Sequence, residues 1–463
     1  MMSANAIAQN RFGLGARAGQ AVAGDPRRWL LEQFARYPNL PPAWAAQPRT
    51  SALLDSFQAQ QLTIRNAADD TQRAAARQQQ QRAVRDVYLG AVDARFASAL
   101  DTPAPFVERL VHFWSNHFAL SVEKLPVRGL AGAYETDAIR PHVLGRFEDL
   151  LLAAVMHPAM LVYLDQNVSI GPDSPVAQRA AARQPQRPRG LNENLAREIM
   201  ELHTLGARSG YTQADVTEFA KALTGLAPAP GVAGVDKGAA NGEAESFVFR
   251  PALHQPGTRT VLGRSYAQQG EAQARAILHD LATAPDTARH VASKLARHFV
   301  ADTPPPALVE RLTQSYLRSG GDLPTLYRVL VESPEPWQAG AGKFKAPWDW
   351  AVSSLRGLGL RELPAGQGER LMAQLSQPVW LPQSPAGYDD VAASWAAPDA
   401  LVRRVESAQR LAGRNAAALD ARSLAPQLLP GGLSDATASA IARSESASVG
   451  LALLLVSPEF LRR

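Results

Sequence analysis

The chain contains no cysteine, and this absence removes several kinds of chemistry. It excludes disulfides, thiolate metal sites and a cysteine nucleophile. The chain also lacks an apolar run long enough to span a bilayer, so we predict no membrane span. Residues 1–15 have no basic segment followed by an apolar core. We therefore predict a cytoplasmic protein without a signal peptide, and leave open export by another route.

The familiar catalytic motifs are missing as well. The sequence has no HExxH, no G-x-S-x-G, no Walker loop, no GxGxxG and no Cys/His zinc spacing, so no standard protease, esterase, NTPase or dehydrogenase is indicated. The formal net charge is only +5 over 463 residues. An excess this small does not indicate a nucleic-acid partner.

Helical patterns dominate what remains. A hydrophobic content of 46% over 463 residues is enough for one large domain or two ordinary ones. We predict a mainly α fold, a single multi-helix domain over 1–463 with a small β-hairpin inserted at 246–263. The hairpin is predicted from two β-prone runs, SFVFR and TRTVLG, which the segment PALHQPG separates.

Two polar segments stand apart from these apolar patterns. Residues 55–95 are rich in Gln, Ala and Arg and predict a projecting helical arm. Residues 166–190 are rich in Pro, Arg and Gln and predict a basic, mobile loop. That loop is either plain disorder or a lid whose arginines meet an anionic substrate.

The stretch Leu191–Gly206 predicts the most informative helix, with Asn192 as its N-cap. At about 100° per residue, Glu198 falls in the middle of its apolar stripe, flanked by Asn194 and Glu201. A carboxylate on a face that must be buried is costly unless it is paired, protonated or bound to a metal. The stripe consists of four leucines: Leu191, Leu195, Leu202 and Leu205.

A second helix, predicted over 104–120, places His117 on the same apolar face as Trp114. His254 lies at the tip of the predicted hairpin, and Asp165 ends a helical stretch. We predict His117, Glu198 and His254 as catalytic groups or as ligands of a divalent metal such as zinc, iron or manganese. A competing interpretation is a buried Glu198–His117 pair that only fixes helix packing. The predicted binding residues are Asn194, Glu201, Asp165 and Trp114.

Two further pairs have local explanations. Thr212 and Asp215 have the spacing of a capping box, so we interpret Asp215 as a helix cap rather than a catalyst. Lys294 and His298 lie one turn apart at the edge of an apolar stripe. We interpret them first as a pair whose charged ends reach solvent, and second as a functional pair.

The chain also resembles the bacterial family called domain of unknown function 1800. The shared motifs cover nearly the whole chain in order: RFGLGAR at 11–17, FWSNHF at 113–118, HPAMLVYLD at 157–165, NENLAREIMELHTLG at 192–206, GYTQADVTEFAKALTG at 210–225, HQPGTRTVLG at 254–263, KLARHFV at 294–300, KFKAPWDW at 343–350 and SPEFLRR at 457–463. The chain departs from the family pattern at Gln255, where an acidic residue is common, and at Gly387-Tyr388, where Gly-Trp is common.

The resemblance implies a largely helical protein of unsettled activity. Because such genes often lie beside genes of a family that resembles sulfatases and alkaline phosphatases, it also implies a partner of that kind. Two functions are therefore expected. The first is a hydrolytic or metal-dependent enzyme with a buried His/Glu site between helices. The second is a non-enzymatic helper or binding protein that acts with the phosphatase- or sulfatase-like partner.

Overall fold

The computed structural model describes residues 3–20, 22, 24–183, 190–207, 209–229, 247–339 and 342–463. Helices dominate these residues, and the strands form two small antiparallel sheets. The mainly α prediction is therefore confirmed. The buried apolar side chains form one continuous cluster that runs from Ile7 to Phe460.

The first half of the chain forms thirteen helices among the described residues. They are α1 Ala4–Ile7, α2 Pro26–Leu31, α3 Gln33–Arg36, α4 Pro42–Ala45, α5 Thr50–Arg65, α6 Asp70–Asp101, α7 Pro105–His117, α8 Leu125–Tyr134, α9 Phe147–Met156, α10 Pro158–Tyr163, α11 Pro175–Arg183, α12 Asn194–Glu198 and α13 Gln213–Leu223. Three π-helical turns occur at Ala8–Phe12, Glu135–Ile139 and Ile199–His203.

The second half forms eleven more helices within the same described ranges. They are α14 Glu271–Thr283, α15 Pro285–Phe299, α16 Pro306–Ser319, α17 Leu323–Glu332, α18 Pro347–Gly357, α19 Gln367–Gln374, α20 Ala392–Trp395, α21 Pro398–Asn415, α22 Ala421–Leu428, α23 Asp435–Ala442 and α24 Ala447–Leu455. Short 3₁₀ turns lie at Gln166–Val168, Pro251–Leu253 and Glu335–Trp337.

Helix α7 lies at the centre of the molecule. Every residue in it except Asn116 is buried, although the sequence alternates apolar and polar positions. The polar residues are tolerated because they are paired inside the protein. Arg109 donates to Asp349 at 2.9 Å, and Glu108 accepts two hydrogen bonds from Arg140. A helix buried on all sides can contribute side chains to an enclosed site.

The predicted arm at 55–95 consists of α5 and α6, which pack against each other. No side chain between residues 58 and 79 is buried, and burial in α6 begins at Gln80. The outer part of this helical pair therefore lies at the surface.

The prediction of a continuous loop over 166–190 was wrong at Pro175–Arg183, which forms α11. Ser174 accepts a hydrogen bond from the backbone N–H of Ala177, and proline occupies the first helical position. A cap, an N-terminal proline and an alanine-rich run together favour a helix there. Residues 184–189 of the predicted loop lie outside the described residues.

The strands occur near their predicted positions, but the predicted pairing was wrong. β2, Phe247–Phe249, pairs with β1, Leu226–Pro228, while β3, Arg259–Val261, pairs with β4, Arg264–Tyr266. Leu262 and Gly263 both have positive φ, which makes the tight two-residue turn that joins β3 to β4. Residue 246 of the predicted insert lies outside the described residues.

Across the residues described above, none of the helices has both the length and the apolar character needed to cross a bilayer.

Candidate functional site

Helix α12 continues through the π-helical turn Ile199–His203 and orients its buried face differently from the prediction. The buried side chains include Leu195, Ile199, Met200 and His203, whereas Glu198 is only half-buried. The prediction that Glu198 occupies the middle of the buried face was wrong. Ile199 and Met200 are buried on a face of the helix adjacent to the predicted one. The π turn adds one residue to the helical repeat.

His117, at the end of α7, does contact this helix, through a hydrogen bond to a backbone carbonyl of the helix. Its Nε2 lies 3.0 Å from the carbonyl oxygen of His203 and donates to it. The Nδ1 atom therefore carries a lone pair, and it is buried without a hydrogen-bond partner among the described residues. Burial lowers the pKa of His117 well below its usual value, so the ring is neutral.

His290, on α15, repeats this arrangement. Its Nε2 donates to the carbonyl oxygen of Leu202 at 3.0 Å, and its ring centre lies 6.0 Å from that of His117. The last carbonyls of a helix have no partner within that helix. The end of the helix that begins with α12 therefore supplies acceptors that fix the tautomers of both rings.

Glu198 lies among other polar groups of the same helix. Burial, and then the neighbouring Glu201, raise the pKa of Glu198, while Arg197 lowers it. Glu201 accepts a hydrogen bond from the hydroxyl of Tyr211 at 3.3 Å, and Asn194 is exposed. These contacts explain the acidic groups as parts of a partly solvated helix face.

Two more predicted residues have structural partners. The Asp165 carboxylate pairs with the ammonium of Lys124 at 2.6 Å. The indole of Trp114 is buried and donates to the hydroxyl of Tyr327 at 2.6 Å, while its ring packs edge-on against His117 at 5.1 Å. Asp165 thus fixes a loop, and Trp114 forms part of the wall behind His117.

His254 follows a 3₁₀ turn and contacts the end of α13. Its Nδ1 donates to the carbonyl oxygen of Thr224 at 2.8 Å, and its ring lies against Phe249. In the described parts of the chain, no three His, Asp or Glu side chains are placed to hold one metal ion. His117, Glu198 and His254 therefore do not form the ligand set that the sequence predicted.

His117 instead borders a cavity of about 410 Å³ between α7 and α15. The cavity is closed by the first turn of α18 and by the segment 377–391, which follows α19. Its apolar walls include Phe113, Trp348 and Trp380. Its ionisable groups are Arg95, His112, His117, His290, Lys294, Arg297, His298, Asp349, Tyr388, Asp389 and Asp390.

Within this cavity, His298 forms a close pair with Asp390. The His298 Nδ1 lies 2.7 Å from a carboxylate oxygen of Asp390, and its Nε2 is buried without a partner in the described chain. Burial lowers the pKa of His298 to about 4, although Asp390 acts in the opposite direction. Because Asp390 accepts a hydrogen bond from the Nδ1–H group, Nε2 carries the lone pair.

Asp390 is itself held by cations. Lys343 Nζ lies 3.2 Å from it and 3.0 Å from Asp302, while Arg463 bridges Asp390 and Asp349 at 3.7 and 2.9 Å. His298 and these cations hold the pKa of Asp390 far below its usual value, despite burial. The carboxylate that orients His298 is thus fixed in its charged form.

Lys294 lines the same cavity one helical turn before His298. Its ammonium makes no hydrogen bond or ion pair with any residue that the structure describes. Burial lowers the pKa of Lys294 to about 8, Asp390 raises it and Arg297 lowers it further. The first interpretation of this pair, charged ends that reach solvent, does not account for His298, which binds Asp390 inside the cavity.

The sequence matches the family described as "Protein of unknown function (DUF1800)" over residues 7–462. The chain belongs to the DUF1800 family. No curated protein and no solved structure matches it.

In this DUF1800 protein, the segment 377–391 is fastened to α7 by a reciprocal pair of hydrogen bonds. The Asn116 amide donates to the carbonyl of Tyr388 at 2.8 Å and accepts from its N–H at 2.7 Å. Gly387, with φ of 81°, lies so close that an added Cβ would be 2.4 Å from the carbonyl oxygen of Asn116. Position 387 therefore requires glycine, because its backbone lies too close to Asn116 for a side chain.

Sequence reasoning singled out Lys294 and His298 but missed Asp390. Nothing local marks this aspartate, which lies 92 residues from His298 in a loop-rich segment. The available signal was the run KFKAPWDW, whose Lys343 and Asp349 both belong to the charge network around the cavity.

Proposed function

We propose that this DUF1800 protein is a hydrolytic enzyme whose active site is the cavity between α7 and α15. The observation that carries the proposal is the His298–Asp390 pair, in which Asp390 accepts a hydrogen bond from Nδ1 and Nε2 is buried with no hydrogen-bond partner among the described residues. A histidine oriented in this way by a carboxylate is the usual form of a general base in hydrolysis.

In the proposed reaction, His298 Nε2 takes a proton from a water molecule as that water attacks the carbonyl carbon of an ester. The new C–O bond forms, the ester C–O bond breaks, and the imidazolium returns the proton to the leaving oxygen. Asp390 stabilises the imidazolium without accepting its proton. The cavity volume of about 410 Å³ falls within the range of small-molecule sites.

The test is ester hydrolysis by the purified protein. We would assay a neutral ester, p-nitrophenyl butyrate, and an anionic one, mono-p-nitrophenyl succinate. His298→Gln and Asp390→Asn should each lower kcat/KM about 10²- to 10⁴-fold, the usual contribution of acid–base catalysis.

The matched control is His279→Gln. His279 also pairs with a carboxylate, Glu148 at 2.9 Å, but on the surface of α14 and outside the cavity. Its kcat/KM should equal that of the wild type. Failure of the wild type to hydrolyse either ester, or full activity in His298→Gln, would overturn the proposal.

The second expected function, a helper that acts with a phosphatase- or sulfatase-like partner, stays a prediction. Metal dependence stays a prediction as well.

A further inference from the structure

We infer that the cavity takes an organic anion, a carboxylate or phosphate group on a small apolar body, and that Lys294 is the cation that anchors it. This inference deepens the proposed function by naming a substrate class, and it rests on that function only for the chemical step. Binding of the anion can be measured without any hydrolysis.

Within the residues that the structure describes, the carboxylates around the cavity form no direct ion pair with Lys294. Asp390 is shared by His298, Lys343 and Arg463, and Asp349 is shared by Arg109 and Arg463. Both carboxylates thus already have cationic or proton-donating partners. A charged group in a cavity is costly to leave unpaired, and a ligand anion would supply the missing charge.

Arg297, the second free cation, lines the cavity beside Lys294. It is exposed and makes no ion pair or hydrogen bond within the part of the chain described here. One more carboxylate, Asp389, also borders the cavity, but it is exposed and accepts from the hydroxyl of Ser394 at 2.7 Å. Among the described residues, Lys294 and Arg297 thus present two unpaired positive charges at the same wall.

The histidines on this side do not compete for an anion. His117 and His290 donate hydrogen bonds from Nε2 to the carbonyl oxygens of His203 and Leu202, respectively. Both rings are neutral because burial lowers their pKa values. Neutral rings supply no positive charge for an anion, so Lys294 and Arg297 are the cations on this side that can hold one.

The apolar residues that line the cavity suit an apolar body. Phe113, Trp348 and Trp380 line the cavity together with Val379 and Met372. Aromatic side chains bury a large apolar area and stack on flat groups. The combination of one charged end and aromatic walls selects an amphipathic small molecule over a polar one such as free phosphate.

The charge state of Lys294 adds a second readout. Its pKa of about 8 results from burial, from Arg297 and, in the opposite direction, from Asp390. The other titratable groups that face it, His117, His203, His290 and His298, all have lowered pKa values and stay neutral above pH 7. Anion affinity should therefore fall as the pH rises from 7 to 9.

The experiment is isothermal titration calorimetry of the full chain at pH 7 with three probes of similar shape: phenylacetate, phenyl phosphate and phenylacetamide. We expect binding of at least one anion and no binding of the neutral amide. The preferred anion identifies the headgroup. Lys294→Met should weaken its binding at least 10-fold, and Lys294→Arg should retain part of it.

The control variant is Lys221→Met, because Lys221 pairs with Glu218 away from the cavity. It should bind as the wild type does. Calorimetry measures anion binding without turnover, so a failed hydrolase assay leaves this inference standing. Thermal unfolding checks that each variant is folded. Arg297→Gln provides a second test, at an exposed residue of the same wall. Equal binding of the amide, no binding of either anion, or unchanged binding in Lys294→Met would overturn the inference.

Discussion

Arg140 pairs with two buried carboxylates of the core, those of Glu108 and Glu135. Its guanidinium is fully buried and contacts Glu108 at 2.9 Å and Glu135 at 3.0 Å. Glu135 also pairs with Arg95, which borders the cavity. This network connects the central helix α7 to α6 and to the π turn Glu135–Ile139, so it holds one wall of the cavity.

We expect Arg140→Met to lower the free energy of unfolding by about 3–5 kcal/mol, because the change leaves Glu108 buried without its cation. Urea denaturation measures this loss. Arg28→Met is the control, since Arg28 is exposed and pairs with Glu32 within one helix. Its change should stay within about 0.5 kcal/mol. Similar losses in both variants would show that the buried network does not carry this stability.

Among single residues, the sequence identified buried polar groups better than it identified their partners. His117 was predicted on an apolar face, and it is buried. Its partner is a backbone carbonyl rather than Glu198, and no side-chain pattern reveals a carbonyl. Asp215 was correctly predicted as a cap, because a capping box lies within four consecutive residues.

At the scale of elements, local sequence signals predicted the helices but not which face of a helix is buried. Gly206 was predicted to stop the helix that begins with α12, and it has a positive φ of 91° just beyond His203. The buried face was misassigned because it was drawn through the four leucines, whereas Ala196, Ile199 and Met200 are also buried on an adjacent face. The two sheets show the same limit. Strand-forming residues can be recognised in sequence, but pairing partners depend on turns and on segments far apart.

The segment 377–391 offers the sharpest test at this scale. Gly387→Ala and Gly359→Ala both place a side chain at positive φ, 81° and 80°. An added Cβ meets the carbonyl of Asn116 at Gly387, whereas at Gly359 nothing lies within 4 Å. Both variants should lose about 1 kcal/mol of stability from backbone strain. Only Gly387→Ala should lose more and also weaken anion binding.

Calorimetry with the preferred anion, beside urea denaturation, compares the two glycine variants. Equal stability and equal anion affinity in the two variants would mean that the close approach of Gly387 to Asn116 does not position the segment 377–391.

At the scale of the whole molecule, the cavity brings together six separate parts of the chain. Its walls come from Arg95, residues 112–120, Leu202, and residues 290–298, 346–349 and 372–391, and part of the charge network comes from Arg463. Each part carries recognisable residues, yet their meeting depends on how the helices pack. The sequence could therefore predict the class of the fold and one wall of the site, but not the site as a unit.

The buried histidines also give the whole molecule a defined response to acid. Burial lowers the pKa of His203 to about 3 and that of His157, His290 and His298 to about 4. Below pH 6.5 the unfolded chain binds protons at these rings and the folded chain does not. Stability should therefore fall as the pH drops from 6.5 towards 4, by up to about 1.4 kcal/mol per pH unit for each ring.

Urea denaturation at pH 7, 6 and 5 measures this slope. His203→Leu removes a fully buried ring whose two nitrogens have no partner in the described residues. Its slope should be lower than that of the wild type by about 1 kcal/mol per pH unit, whereas the exposed His279→Gln should leave the slope unchanged. Identical slopes in all three proteins would show that buried imidazoles do not govern acid stability.

The π turn at Ile199–His203 has a consequence for comparing relatives of different length. A π turn holds one residue more than an α turn. A relative that lacks one residue here could run as a plain α-helix, and the carbonyls after the gap would rotate by about 100° around the axis. His117 and His290 would then lose their acceptors at Leu202 and His203. A single gap in an alignment at this turn, which includes the cavity residue Leu202, would thus remove the hydrogen bonds that fix the tautomers of both rings.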